Sequence, residues 1–220
     1  MPGIVGLVTR MPRERAEREL RRMVEALRHE SFYRTGSWVD ASLGVYVGWC
    51  ARKNSFSDAM PLRGERDAVL VFSGEEFAEP GTARRLKERR HDLDGESREY
   101  LVHWYEADPE FPAGLNGRFH GLVADRAEGT ATLFNDRYGI DRVYYHEAKD
   151  GFYFAAEAKA ILAVRPELGT IDSRGLGELL SCGGVLENRT LFDGIHVLPG
   201  ASRWVLRDGA VERRAAYFRP

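Results

Sequence analysis

The chain opens on an apolar run, residues 4–8, that is strand-length and too short for a helix. Residues 13–28 change period. Ala16, Leu20, Met23, Val24 and Leu27 recur at helical spacing with Arg and Glu between them, which predicts an amphipathic surface helix. Short apolar stretches then predict strands over 43–50, 68–72, 121–125, 130–135, 143–146 and 152–156. Turn residues at 125–129 and at Lys149-Asp150-Gly151 join two of these pairs as hairpins. Helices are expected over 81–90, 97–107, 157–163 and 173–181, the last capped by Asp172 or Ser173. A final strand pair, 202–206 and 211–217, flanks Arg207-Asp208-Gly209. Antiparallel pairs with interspersed helices predict an α+β layered architecture, and periodicity supports that class and no more.

Composition narrows the picture. The 220 residues suffice for one large domain or two small ones, and 43% apolar content is that of an ordinary globular chain. With 32 basic and 34 acidic residues the net charge is -2, which excludes a nucleic-acid binder working by bulk charge. The charges crowded into 13–22 read as a solvated helix face. No apolar run is long enough to span a bilayer, and the start lacks the basic residues and cleavage site of a signal peptide. Cys50 and Cys182 are far apart and in no metal-ligand spacing, so a reducing cytoplasm is the expected setting. A small buried residue is expected at each of the two cysteines, and His120 and His196 read as structural.

Several motifs, in order, resemble the class II glutamine amidotransferase domain of asparagine synthetases. Pro2-Gly3-Ile4-Val5-Gly6 is similar to the opening C-G-I-x-G. Val69 to Phe72 followed by Ser73-Gly74-Glu75 resembles a strand ending in N-G-E. Leu115-Asn116-Gly117-Arg118-Phe119 resembles L-N-G-x-F. Asn135-Asp136-Arg137-Tyr138-Gly139 resembles R-D-R-x-G, and Val143-Tyr144-Tyr145 resembles L-Y-Y. Phe154-Ala155-Ala156-Glu157-Ala158-Lys159-Ala160 is similar to F-A-S-E-x-K-A. Thr190-Leu191-Phe192-Asp193-Gly194-Ile195 and Leu198-Pro199-Gly200 are similar to the closing T-x-F-x-G-I and L-P-P-G. The resemblance covers nearly all of 1–220 as one domain and implies an N-terminal-nucleophile hydrolase fold, a four-layer αββα sandwich of two antiparallel sheets. Most of these motifs also have a plain structural reading as turns and strand packing.

The resemblance also implies a chemistry. An N-terminal cysteine attacks the glutamine amide while its α-amine moves the proton. The Asn side chain and Gly N–H of N-G-E hold the oxyanion, an Arg forks the substrate carboxylate, and an Asp pairs with the substrate amine. This sequence departs at each point. Pro2 stands at the nucleophile position. Ser73 takes the oxyanion Asn position with Gly74 and Glu75 retained. The carboxylate-binding Arg aligns near Trp49, with Arg52 three residues on, and Ser97 stands where Asp is expected, flanked by Glu96 and Glu99.

The expected function is therefore a degenerate, inactive glutaminase-like module of an asparagine-synthetase-like, ATP-dependent amide-forming enzyme. Its partner would be a C-terminal synthetase domain, and homo-oligomerisation is left open. No cofactor is expected in this domain; ATP and Mg belong to the synthetase domain, whose S-G-G-x-D-S loop is absent here. Two alternatives stand beside this reading. One is an active glutamine amidotransferase domain supplying ammonia. The other is Pro2 acting through its N-terminal amine as a general base after loss of Met1.

Overall fold

The computed structural model describes residues 2–77 and 98–219. The opening run becomes β1 (Gly3–Thr9), buried at every position. A strand buried on both faces needs a layer on each side. Ile4 and Val8 enter one hydrophobic cluster, Val5 and Leu7 another, as side-chain alternation along a strand requires.

β1 lies inside the first sheet with β2 (Tyr33–Asp40), β3 (Val45–Arg52), β8 (Tyr144–Ala148), β9 (Gly151–Ala155) and β10 (His196–Val197). The order is β10-β8-β9-β1-β3-β2. The second sheet holds β4 (Leu62–Arg63), β5 (Ala68–Glu76), β6 (Gly117–Asp125), β7 (Thr130–Asn135), β11 (Ser202–Arg207) and β12 (Ala210–Ala216), in the order β12-β11-β7-β6-β5-β4. Every pairing within the two sheets is antiparallel.

The inner faces meet through aromatic contacts. The Trp204 ring lies 5.0 Å from Tyr145 and 6.3 Å from Phe152. Outside the first sheet, α1 (Arg13–Leu27) buries Ala16, Leu20, Met23 and Leu27, and α3 (Ala158–Leu162) buries Ala160 and Ile161. Gly48 on β3 lets α1 approach, since a Cβ there would lie 2.3 Å from Val24 Cγ2. The charges of α1 pair along its own surface, as in Arg13–Glu17 at 2.6 Å. Outside the second sheet, α2 (Tyr100–Ala107) buries Leu101 and Val102. Tyr105 donates to Asp125 at 2.8 Å and packs on Phe111, which meets Phe134 at 5.1 Å. The result is the expected αββα arrangement of two antiparallel sheets between helices.

The elements follow the hydrophobic pattern closely, with instructive exceptions. β2 is absent from the sequence expectations because it is an edge strand buried mainly at its two ends, so Tyr33 to Asp40 shows no alternation. β4 and β10 are two residues each, below any periodic signal. The helix expected over 81–90 lies outside the described residues, and the one expected over 97–107 begins at Tyr100. The final hairpin turns at Asp208 and Gly209, whose φ values of 55° and 84° are the left-handed pair a two-residue turn demands. α4 (Ser173–Cys182) is capped by Asp172, which accepts from Arg174 N at 2.9 Å. At its far end the expectation for Cys182 is corrected. The thiol is exposed, because α4 lies on the surface and buries only Gly175. Among the described residues no helix is long and apolar enough to cross a membrane.

Candidate functional site

The start of β1 is fixed on three sides. Ile4 pairs in register with Trp49 of β3, and its carbonyl accepts from Ala156 N at 2.9 Å. Its N–H donates across the sandwich to His120 Nε2 at 3.2 Å. Gly3 sits so tightly that a Cβ would lie 2.1 Å from Ala156 Cβ and 3.3 Å from His120 Nε2. Pro2, half-buried, is thereby held at the N-terminal end of the central strand.

His120 is the inward-facing neighbour of Ser73 in the register of β5 and β6. Burial lowers its pKa from the ordinary 6.5, so the ring is neutral near pH 7. Because Nε2 accepts from Ile4, the proton is on Nδ1, which faces the Asp141 carbonyl at 3.4 Å. That carbonyl is placed by Asp136, a buried carboxylate accepting from the N–H groups of Tyr138, Ile140 and Asp141 at 3.0, 3.0 and 3.1 Å. Beside it, fully buried Asn135 accepts from Ser202 N at 2.8 Å and donates to the Pro199 carbonyl at 2.9 Å. The Asn135-Asp136 and Leu198-Pro199-Gly200 motifs are thus tied together as structure, and through His120 they brace the chain start.

The residues singled out from the sequence fall into two groups. Pro2, Trp49, Ser73 and Gly74 gather around Ile4 and His120. Ser73 is 3% exposed on the inner face of β5. Gly74 has φ +125°, and a Cβ there would lie 2.2 Å from the Arg118 carbonyl. Its N–H points to Ser57 Oγ at 3.3 Å. Trp49 is buried in the cluster between the sheets, and its indole lies over Gly36, where a Cβ would come within 2.2 Å of the ring.

The others stand apart. Arg52 is exposed, and alternation along β3 puts it on the face opposite Trp49, so it does not reach the Trp49 side without a shift of register. Glu75 is exposed on β5 opposite Arg118. Glu99 is exposed at the start of α2. Ser97 and Glu96 lie outside the described residues. Cys50 is buried under α1, its Sγ 3.9 Å from the Leu27 carbonyl, and burial raises its pKa, so it is an unreactive thiol.

The sequence reading missed the partner of His120 and the role of Arg98 at this site. His120 read as structural, but nothing in its spacing linked it to Ile4, 116 positions away. Arg98 donates to the carbonyls of Ser55 and Phe56 at 2.9 and 3.1 Å and so holds the turn (Phe56–Ala59) that carries Ser57. Its guanidinium lies 5.5 Å from the Phe56 ring centre. Among the described residues no group of three His, Cys, Asp or Glu side chains could hold a metal ion.

Residues 1–218 match the glutamine amidotransferase domain family. The chain belongs to that family. Over 230 aligned positions it is 24% identical to asparagine synthetase [glutamine-hydrolyzing] 1 of Bacillus subtilis strain 168, covering all of this chain and 35% of that protein. Among solved structures it is similar to the glutamine phosphoribosylpyrophosphate amidotransferase of B. subtilis, with a TM-score of 0.65 and 11% identity. It is also similar to a structure described as the allosteric regulatory enzyme of purine biosynthesis, with a TM-score of 0.63 and 12% identity. Each match covers 98% of this chain and 49% of the other. These two likenesses establish the N-terminal-nucleophile hydrolase fold. The family's domain is thus about a third of the synthetase's length and about half of each structure's.

Proposed function

We propose that this glutamine amidotransferase domain does not hydrolyse glutamine and serves as a structural module of an ATP-dependent amide-forming enzyme of the asparagine synthetase type. The observation that carries the reading is Pro2 at the head of β1, where the resemblance places a thiol. Proline offers neither thiol nor hydroxyl, so no acyl-enzyme forms by the usual route.

The surroundings support the same reading. The Gly74 N–H, assigned by the resemblance to an oxyanion, is directed at Ser57. Ser73 carries a shorter donor than the Asn amide, and loss of one such donor alone costs about 10² to 10³ in rate. Trp49, near which the resemblance aligns the carboxylate-binding Arg, is an indole buried between the sheets. Parts that act as a unit fail together, so these changes do not act as independent small losses. ATP and Mg would be bound by the synthetase domain, which would take ammonia or another amine directly.

The test is glutamate release from glutamine by purified protein, with an iodoacetamide-treated sample beside it. No release above buffer is expected. Turnover that survives the alkylation would overturn the proposal.

A further inference from the structure

The outer face of the second sheet carries a cavity of about 750 Å³. Small-molecule sites span roughly 300–1,000 Å³. Strand parity separates this cavity from Pro2. Trp204 faces Tyr145 of the first sheet, so its neighbours Arg203 and Val205 on β11 face outward, away from Ser73 and His120. Val205 pairs with Thr132 of β7 on one side and with Arg213 of β12 on the other. Thr130 follows on the same face of β7, and the end of α2 adds Tyr105.

Several donors lining the cavity are used by no protein group. Thr130 and Thr132 are 8% and 4% exposed, and among the described residues neither hydroxyl has a hydrogen-bond partner. Arg203 Nη1 donates to the Pro109 carbonyl at 2.6 Å, which fixes the side chain, while its Nε is buried with no acceptor. Such a group is costly to keep and calls for an acceptor. Arg213 pairs with no carboxylate among the described residues. Its neighbour Arg214 shows the contrast, since it faces the other way and is held by Glu147 at 2.6 Å and over the Trp204 ring.

The carboxylates around the cavity are already engaged. Asp125 accepts from Tyr105 and from Glu128 N at 2.8 and 3.0 Å. Glu106 accepts from Glu65 N and Arg66 N at 3.0 and 2.7 Å. Asp108 accepts from Trp104 Nε1 and Glu110 N at 3.2 and 2.9 Å, and Glu212 pairs with Arg207 at 3.2 Å. The exposed Glu128 carboxylate, on the turn between β6 and β7, takes no hydrogen bond from a described residue.

The cavity thus offers guanidinium donors from two strands and hydroxyls from a third. A planar carboxylate is satisfied by one guanidinium fork, whereas a tetrahedral dianion takes donors from several directions. Glu128 would accept from a ligand hydroxyl and repel a second anionic group. We propose that this cavity binds a phosphate ester of a hydroxylated small molecule, of sugar-phosphate or nucleotide size. Arg203, Arg213 and Thr132 hold the phosphate, and Glu128 meets a hydroxyl. The site is separate from the face that carries Pro2 and does not depend on whether glutamine is hydrolysed there.

The experiment is titration calorimetry of the 220-residue chain at physiological salt with AMP, ribose 5-phosphate, adenosine and glutarate. Saturable binding of the phosphate esters is expected, and none of adenosine or glutarate. Binding of either ester without the other supports the site and names its class. Arg213→Ser is expected to weaken binding about tenfold or more, the worth of a charge-assisted hydrogen bond. Thr132→Val, which keeps shape and burial, should weaken it severalfold. Arg214→Ser should leave the affinity unchanged. Melting temperatures of the ligand-free variants report on folding, and if Thr132→Val lowers its own, the exposed Arg213 still decides. No binding of either ester overturns the proposal, and so does glutarate binding as tightly as they do. Equal weakening by Arg213→Ser and Arg214→Ser would reduce the effect to general surface charge and overturn it. Unchanged affinity in Arg213→Ser overturns it as well.

Discussion

The Ile4 N–H donates to His120 Nε2 at 3.2 Å, joining the first residues of one sheet to the middle of the other. The bond needs a neutral ring with its proton on Nδ1. Burial supplies the neutrality, and the Asp141 carbonyl at 3.4 Å supplies the tautomer. The chain start is therefore positioned by a side chain distant in sequence.

This relationship sets an expected acid sensitivity. A histidine whose folded pKa lies below 6.5 binds a proton in the unfolded state first, so stability is full above that value and is lost as pH falls through it. Melting temperature measured from pH 7.5 to 5.5 is expected to fall on the acid side. His120→Ala should flatten that part of the profile. It should also cost about 1–3 kcal/mol at pH 7.5, because the Ile4 N–H is left buried without an acceptor. A variant with the wild-type acid slope would remove His120 as the cause.

Pro2→Cys alone is expected not to give useful glutaminase activity. A thiolate needs its carbonyl held and its oxyanion stabilised before it attacks productively. Trp49 and Ser73 remain as they are in that variant, and Gly74 N–H remains directed at Ser57. Steady-state glutamate release decides the point, and robust turnover in the single variant would show the pocket to be competent.

Trp49→Ala should lower stability by about 3–5 kcal/mol, the usual cost of removing a large buried aromatic. The indole lies between the sheets and against Gly36. Urea titration measures this. A change below about 1 kcal/mol would mean that the ring is not part of the core.

Deletion of residues 1–8 should leave the chain unable to fold at 25 °C. β1 lies between β9 and β3, so its loss opens two ladders at once. Each buried Ile, Val or Leu contributes about 1.5–3 kcal/mol, and four of them approach the roughly 5–15 kcal/mol by which a domain is stable. Circular dichroism and thermal melts test it; an unchanged melting temperature would mean that the strand is dispensable.

Much of the fold was legible because its signals are local. The apolar run at 4–8, the helical spacing from Ala16 to Leu27, and Asp208-Gly209 each specify an element through residues close in sequence. β2 was not legible, since an edge strand has one partner and no obligatory alternation. Cys182 was misjudged for a related reason. Its small apolar character suits burial, but α4 lies on the surface and buries only Gly175.

The candidate site divides along the same line. Pro2 is at the second position whatever the fold does, so the absence of a thiol or hydroxyl there is a property of the sequence alone. That Arg52 and Trp49 lie on opposite faces follows only from the parity of β3, once its strand is in place. The partnership of Ile4 with His120, and of Gly74 with Ser57, belongs wholly to the tertiary structure. A strand's own pattern states which of its faces is apolar, but it carries no information about which distant strand will lie opposite. That choice is made only when the two sheets close over a shared core.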